Sequence, residues 1–321
     1  VKAIAWGIAG LWLLSIGAVP APAQQKDAWA ALSEAGIKAY QAGRYRDAEQ
    51  DLLAALHEAE RAGKDDARVA TSLNNLGELY RTVGRYREGE PLLKRALEMR
   101  ERRLGPRHPQ VASVLNNLAL LYTDQARYTE AEPLQSRALE IWEKEHGPRH
   151  PQVATSLNNL GEIYRSQGKY ALAEPLFRRA LEIWERAHGP SHPNVATGLN
   201  NLAILHADQE LFAQAEPLAR RALEIAEKTY GPDHPQVASA LNTLGLVYDG
   251  QGRYAEAEQL FSRALAINQR VLGPGHPEVA AVLLNYAHLL RKLKRSVEAD
   301  RMESQAEMIR KASGVPLPAT R

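Results

Sequence analysis

Five histidine–proline pairs stand at His108, His150, His192, His234 and His276, each 42 residues after the last. Imidazole is a common metal ligand and a general base near neutral pH. A regular row of it could be a metal site, a set of catalytic bases or the punctuation of a repeated fold. The neighbouring residues favour punctuation. Each pair lies in a near copy of "LGPRHPQVA", the stretch that begins at Leu104. Its glycine follows an apolar helical stripe, where a left-handed cap suits it. The first proline stops that helix. The second falls at the first position of the next helix, where its missing N–H costs nothing. A residue before proline is pushed to extended backbone, the geometry of an N-cap. His108 and its four equivalents are therefore placed as structural helix caps.

A shared metal site fails on distance. Zinc ligands lie about 2.0–2.1 Å from the ion, whereas equivalent positions in stacked hairpins are at least about 10 Å apart. His146/His150 and His188/His192 have HxxxH spacing, but Gly-Pro lies between the two members. No metal and no cofactor are expected. The chain has no cysteine, which removes disulfides, thiolate zinc sites and cysteine nucleophiles. It also lacks GxSxG, P-loop, HExxH and dinucleotide-loop motifs, so no catalytic residue is expected. The formal net charge is +2 with both signs interleaved, which leaves no nucleic-acid footprint.

The elements that would position these residues are helices. In the unit from His108, Val111, Leu115, Leu118, Ala119 and Tyr122 form one helical stripe, and Ala131, Leu134, Ala138, Leu139 and Trp142 form a second. The polar stretch "TDQAR" lies between them. Each unit is thus a helix–turn–helix hairpin, and nothing alternates as a strand would. Small residues recur at Gly77, Ala119, Gly161, Ala203, Gly245 and Ala287 on first helices, and at Ala96, Ala138, Ala180, Ala222 and Ala264 on second helices. They let backbones approach, with Leu73, Tyr80, Tyr86 and their equivalents filling the remaining space. One hairpin cannot bury both stripes alone, so hairpins must stack. The i, i+3 spacing of Arg95/Glu98, Arg137/Glu140, Arg179/Glu182 and Arg221/Glu224 reads as a solvated ladder within second helices.

These columns resemble the tetratricopeptide repeat. "LNNLGELYRTVGRYREGEPLLKRALEM" carries that family's Leu, Gly, Tyr and Ala pattern, and the 42-residue period with "GPxHPxVA" resembles the kinesin light chain subgroup. The resemblance covers residues 28 to about 312. It implies an all-α solenoid, a right-handed superhelix of about seven stacked repeats. Their boundaries would be 27–62, 67–104, 109–146, 151–188, 193–230, 235–272 and 277–312. It also implies that first helices line a concave groove for a protein or extended peptide. Within that groove, asparagines at Asn74, Asn75, Asn116, Asn117, Asn158, Asn159, Asn200, Asn201 and Asn242 would clamp the ligand backbone. Flanking positions are Glu78, Leu120, Glu162, Ile204, Leu246 and His288, with Arg81 and Arg165 beyond them. Asparagine is a mediocre helix former, so packing alone does not ask for this column. The alternative is that some of these amides bond between neighbouring hairpins. A second, 84-residue period alternates Gly with Ala on first helices, from ancestry or from a two-repeat rhythm in the groove.

The first residues carry Lys2, an apolar run from Ala3 to Val19 and the small pair of "APA" at Ala21 and Ala23. They read as a secretory signal over 1–23, cleaved after Ala23. An uncleaved membrane anchor is the alternative. Residues 24–313 then form the repeat domain and 314–321 a disordered tail. The function expected is a non-catalytic, periplasmic or secreted scaffold that binds a protein or peptide. Neither nucleic acid nor a small-molecule substrate is expected, and the mature form should not be membrane-embedded. A periplasmic chaperone or assembly factor is the alternative.

Overall fold

The computed structural model describes residues 28–313. The expected signal segment, its cleavage point and the tail lie outside the described residues. Fourteen helices and no strands occur among the described residues, in seven hairpins. They are α1 (Ala28–Gln41) with α2 (Tyr45–Ala62), α3 (Ala67–Thr82) with α4 (Tyr86–Leu104), and α5 (Pro109–Asp124) with α6 (Tyr128–His146). The remainder are α7 (Pro151–Ser166) with α8 (Tyr170–His188), α9 (Pro193–Asp208) with α10 (Phe212–Tyr230), α11 (Pro235–Gly250) with α12 (Tyr254–Val271), and α13 (Pro277–Lys292) with α14 (Ser296–Ser313). The described residues divide into two compact units, 28–145 and 146–313. The first holds hairpins one to three, and the second hairpins four to seven.

Within each unit the hairpins stack as the sequence stripes require. Second helices pack against their own first helix and against the first helix of the next hairpin in the same unit, as α4 does with α3 and α5 and α10 with α9 and α11. First helices also touch one another, α3 with α5 and α9 with α11 among them. They make the inner layer and are buried along most of their length; Val111, Ala112, Val114 and Leu115 are fully enclosed.

The Gly/Ala alternation has a packing cause. A Cβ on Gly77 would lie 2.5 Å from Leu93 Cγ, one on Gly161 2.9 Å from Phe177, and one on Gly245 2.7 Å from Phe261. Where the first helix carries Ala203 instead, the facing residue is Ala219, in the same cluster. Glycine therefore accompanies a bulky apolar partner at these three places, because close-packed cores resist even one added methylene. The alanines follow no single rule, since the same register sets Ala119 opposite Gln135 and Ala287 opposite Glu303.

The arginines of second helices behave differently from the expected ladder. Arg95 pairs with Glu60 at 3.0 Å, Arg137 with Glu101 at 2.6 Å and Arg221 with Glu185 at 2.8 Å. Each carboxylate belongs to the preceding hairpin. Arg137 and Arg221 also donate to the carbonyls of Pro106 and Pro190 in the interhairpin loops. The pairs stitch hairpins together rather than bracing single helices, because a stacked neighbour brings a carboxylate and a carbonyl to the same fork.

Candidate functional site

The residues expected to recognise a ligand lie on the inner helices. Their first partners are one another. In the first unit Gln135 Nε2 donates to Asn116 Oδ1 at 3.2 Å, and Asn116 Nδ2 to Asn117 Oδ1 at 3.3 Å. Asn117 Nδ2 then donates to Asn74 Oδ1 at 3.1 Å, and Asn74 Nδ2 to Asn75 Oδ1 at 3.4 Å. The amides form a directed relay from α6 through α5 to α3. In the second unit Asn201 donates to Asn158 at 2.9 Å and Asn285 to Asn242 at 3.1 Å. All these asparagines are buried, Asn158 and Asn201 to within 1% of full enclosure. The inter-hairpin role is thus present in the structure, and any role in ligand binding must share the same amides. Asn117 and Asn201 each spend one of their two N–H donors on a rung.

Arg81 and Arg165 are engaged in the same way. Arg165 Nη1 reaches Asp208 Oδ2 at 2.6 Å, while its Nε and Nη2 hold Glu162 at 2.9 and 2.6 Å. Burial pulls this guanidinium down, but the Glu162 and Asp208 carboxylates outweigh it and hold it above its ordinary range. Arg81 repeats the arrangement with Glu78 at 2.8 Å and Asp124 at 2.8 Å. In the last pair of hairpins the polarity reverses, with Lys292 on Asp249 at 2.8 Å. Each Glu–Arg–Asp triad bears one net negative charge.

The turn side of each unit carries a second network that the sequence reading missed. Tyr80 donates to Glu49 at 3.0 Å, and Arg85, stacked 4.3 Å over the Tyr80 ring, binds the same carboxylate at 2.7 Å. Tyr122, Arg127 and Glu90 repeat it at 3.1 and 2.7 Å. Burial raises Glu90, yet the hydrogen bonds from Arg127 and Lys94 prevail and bring it down to about 2. The recurring Tyr-x4-Arg spacing was the available signal. Arg100 was also unforeseen. It is buried where the third and fourth hairpins have tryptophan, donates to Gln110 O at 2.8 Å, and is lowered to about 10 by burial.

The histidines sit at the helix starts. Each of His108, His150, His192, His234 and His276 has extended backbone, and Nδ1 accepts the N–H two residues on, at 3.1 to 3.3 Å. Rings stack in pairs across the loops, His146 on His150 at 4.4 Å and His188 on His192 at 4.2 Å. Among the described residues no group of three metal-ligating side chains comes together. None of the described helices is long and apolar enough to cross a membrane.

Stacked hairpins with this Leu, Gly/Ala, Tyr and Ala pattern match the tetratricopeptide repeat model in six overlapping segments, which run from residue 28 to residue 312. The chain belongs to the tetratricopeptide repeat family. No curated protein matches it. Solved tetratricopeptide-like structures do. BtubC (BKLC) from P. vanneervenii is 23% identical, with 75% of this chain and 94% of that one covered, at a TM-score of 0.50. A Rap protein complexed with competence and sporulation factor is 16% identical, with 89% and 76% covered, at 0.73. The Rap conjugation gene regulator of plasmid pLS20, in complex with the Phr* peptide, is 16% identical, with 91% and 77% covered, at 0.70. At these identities the likeness is one of fold.

Proposed function

We propose that this tetratricopeptide repeat protein is a non-catalytic scaffold that binds an extended peptide or protein segment along its inner helices. The observation that carries this reading is the amide row. Rungs such as Asn117–Asn74 and Asn201–Asn158 fix the orientation of each amide, and each NH2 group retains a second N–H. Pre-oriented donors at regular spacing suit the carbonyls of an extended chain, because their ordering cost is met on folding. The Phr* peptide complex shows a similar fold holding a peptide. The 42-residue period and the five GPxHP loops support placement in the kinesin light chain-like subgroup. The apolar N-terminal run supports a site of action outside the cytoplasm.

The test is selection of displayed peptides against residues 24–321, followed by isotherms for wild type and for Asn117→Ala/Asn201→Ala. Micromolar binding of defined segments that weakens at least tenfold in the folded variant supports the scaffold. Unchanged affinity in the variant moves the surface elsewhere. Indiscriminate binding of unfolded chains would favour a chaperone. N-terminal sequencing of the exported protein tests the location, and retention of Lys2 overturns the cleavage.

A further inference from the structure

The seam between the fifth and sixth hairpins is fastened differently from every other seam inside a unit. Elsewhere the first helices of neighbouring hairpins are bonded to each other. α1 holds α3 through Trp29 to Ser72 at 2.9 Å and Tyr40 to Thr82 at 2.8 Å. α3 and α5 share Asn117–Asn74 and Arg81–Asp124, α7 and α9 share Asn201–Asn158 and Arg165–Asp208, and α11 and α13 share Asn285–Asn242 and Lys292–Asp249. Between α9 and α11 there is no such bond among the described residues. Both inner bonds of α11 turn forward to α13. The rung position holds the buried Thr243, and the ion-pair positions hold Ala207 and Gly250. What meets at this seam is small and apolar, as where the Phe212 ring lies against Gly250, so close that a Cβ there would stand 2.2 Å from it. The ties lie in the outer layer instead. Arg253 reaches Glu216 at 3.1 Å near the start of α10, and Arg263 reaches Glu227 at 2.8 Å near its end.

We propose that this seam is a joint, at which hairpins four and five move as one body against hairpins six and seven. Two features carry the inference. Charge-assisted pairs and amide rungs fix the position of one helix on another, because their strength depends on distance and angle. Apolar contact resists separation but is not directional, so two helices that touch through it alone can slide or tilt over a short range. The seam therefore has pinned surfaces behind it and ahead of it and an unpinned one between. The second feature sets the axis. Ties near both ends of α10 hold the second helices together along their length, which leaves motion about that line as the soft direction. Such motion changes the separation of α9 and α11 and leaves the outer layer nearly still. The joint does not depend on the groove reading. Where a segment does lie along the inner helices, the joint makes the width it meets between hairpins five and six adjustable, while the widths on either side stay set.

The chain has no cysteine, so two can be introduced as sole labelling sites. Spin labels at Ser191→Cys and Gly275→Cys sit in exposed loops that lead into α9 and α13, and span the unpinned seam with its pinned neighbour. Their distance distribution is read by pulsed electron resonance in residues 24–321 without ligand. The expected result is a broad or two-peaked distribution that narrows in Thr243→Asn, which places an amide at the rung position. A second measurement needs no substitution. Methyl relaxation dispersion should show microsecond-to-millisecond exchange at Ala226, Leu241 and Leu244, which pack at this seam, and none at Ala173, Leu202 and Leu205, which pack at the pinned seam before it. This comparison decides the matter if Thr243→Asn folds poorly. One narrow distribution in the unsubstituted seam, no narrowing in a folded Thr243→Asn, or equal exchange at the two sets of methyls overturns the joint. Failed peptide selection would sink the groove reading and leave these results untouched, since no ligand enters them.

Discussion

Replacing Arg165 by methionine tests whether the inner ion triads hold hairpins together. Arg165 contacts Asp208 at 2.6 Å and Glu162 at 2.6 Å, and the three side chains are only 6%, 3% and 12% exposed. A unit-charge pair about 3 Å apart gains roughly 5–6 kcal/mol at an effective dielectric of about 20. Desolvation of the three groups offsets much of that, so the intact triad is a modest net contributor. Its removal is asymmetric. Methionine fills the space but leaves two carboxylates facing each other in a poorly solvated seam, which costs about 3–5 kcal/mol. With a urea slope of about 1–3 kcal/mol per molar, the midpoint should fall by at least about 1 M. Repeat arrays can open locally, so amide exchange along α7 and α9 should accelerate more than along α13. Two controls separate charge from packing. The neutral triad Arg165→Met/Glu162→Gln/Asp208→Asn should recover most of the loss. Arg178→Met, which removes an exposed pair with Glu174, should stay within about 1 kcal/mol. If Arg165→Met and Arg178→Met shared a midpoint, or the neutral triad were no better than the single variant, the inner pairs would not be what fastens the seam.

Three further outcomes follow from the same geometry. His150, His192 and His234 are lowered by burial, with a neighbouring histidine adding to the effect for the first two, so the neutral ring is the folded form. A depressed folded value means that stability is full above the unfolded value of about 6.5 and falls as pH drops through the lower folded value; urea midpoints from pH 8 to 5 should show this fall, flattened in the His150→Asn/His192→Asn/His234→Asn variant. Glu210 has φ of 61° in a turn where Gly168 and Gly252 serve other repeats, so Glu210→Gly should raise stability by about 1 kcal/mol, and a lower thermal midpoint would contradict the strain. Ala138 is fully enclosed, so Ala138→Leu should cost about 1–3 kcal/mol through overpacking, and an unchanged urea midpoint would mean the α6 face is misassigned.

The helices, their stacking and the pairing of first with second were legible because they follow from one-body patterns: a 3.6-residue stripe, a proline after a glycine, a small residue at a fixed column. The histidines were legible for the same reason, since His-Pro states both an N-cap and an N1 within two residues. What escaped was pairwise across hairpins. Arg137 offers its fork to Glu140 in the sequence, yet it takes Glu101 and the Pro106 carbonyl, which stacking alone brings close. The amides were singled out as functional because asparagine is costly in a helix, with bonds between neighbouring hairpins as the alternative; the column alone does not say which amide 43 residues away each one reaches.

The 84-residue rhythm joins these two kinds of information. Within a hairpin it pairs Gly161 with Phe177 and Ala203 with Ala219, which keeps the core filled. Between hairpins it sets Arg81 before Asp124 and Arg165 before Asp208, so that ion pairs fasten the second hairpin to the third and the fourth to the fifth. The duplicated pair is therefore a mechanical unit in its first-helix ion pairs, although other pairs such as Arg253–Glu216 also tie one duplicated pair to the next. The next pair keeps the bond but exchanges its ends, Asp249 before Lys292. That exchange preserves attraction only inside the pair. At the seam before it, Asp208 precedes a hairpin that carries Asp249 and Gly250, with no cation in either column, and the ladder loses its donor at Thr243 in the same place. A boundary between mechanical units is where a repeat array can vary its contacts without loosening the units themselves, and here it coincides with the buried acceptor of Asn200.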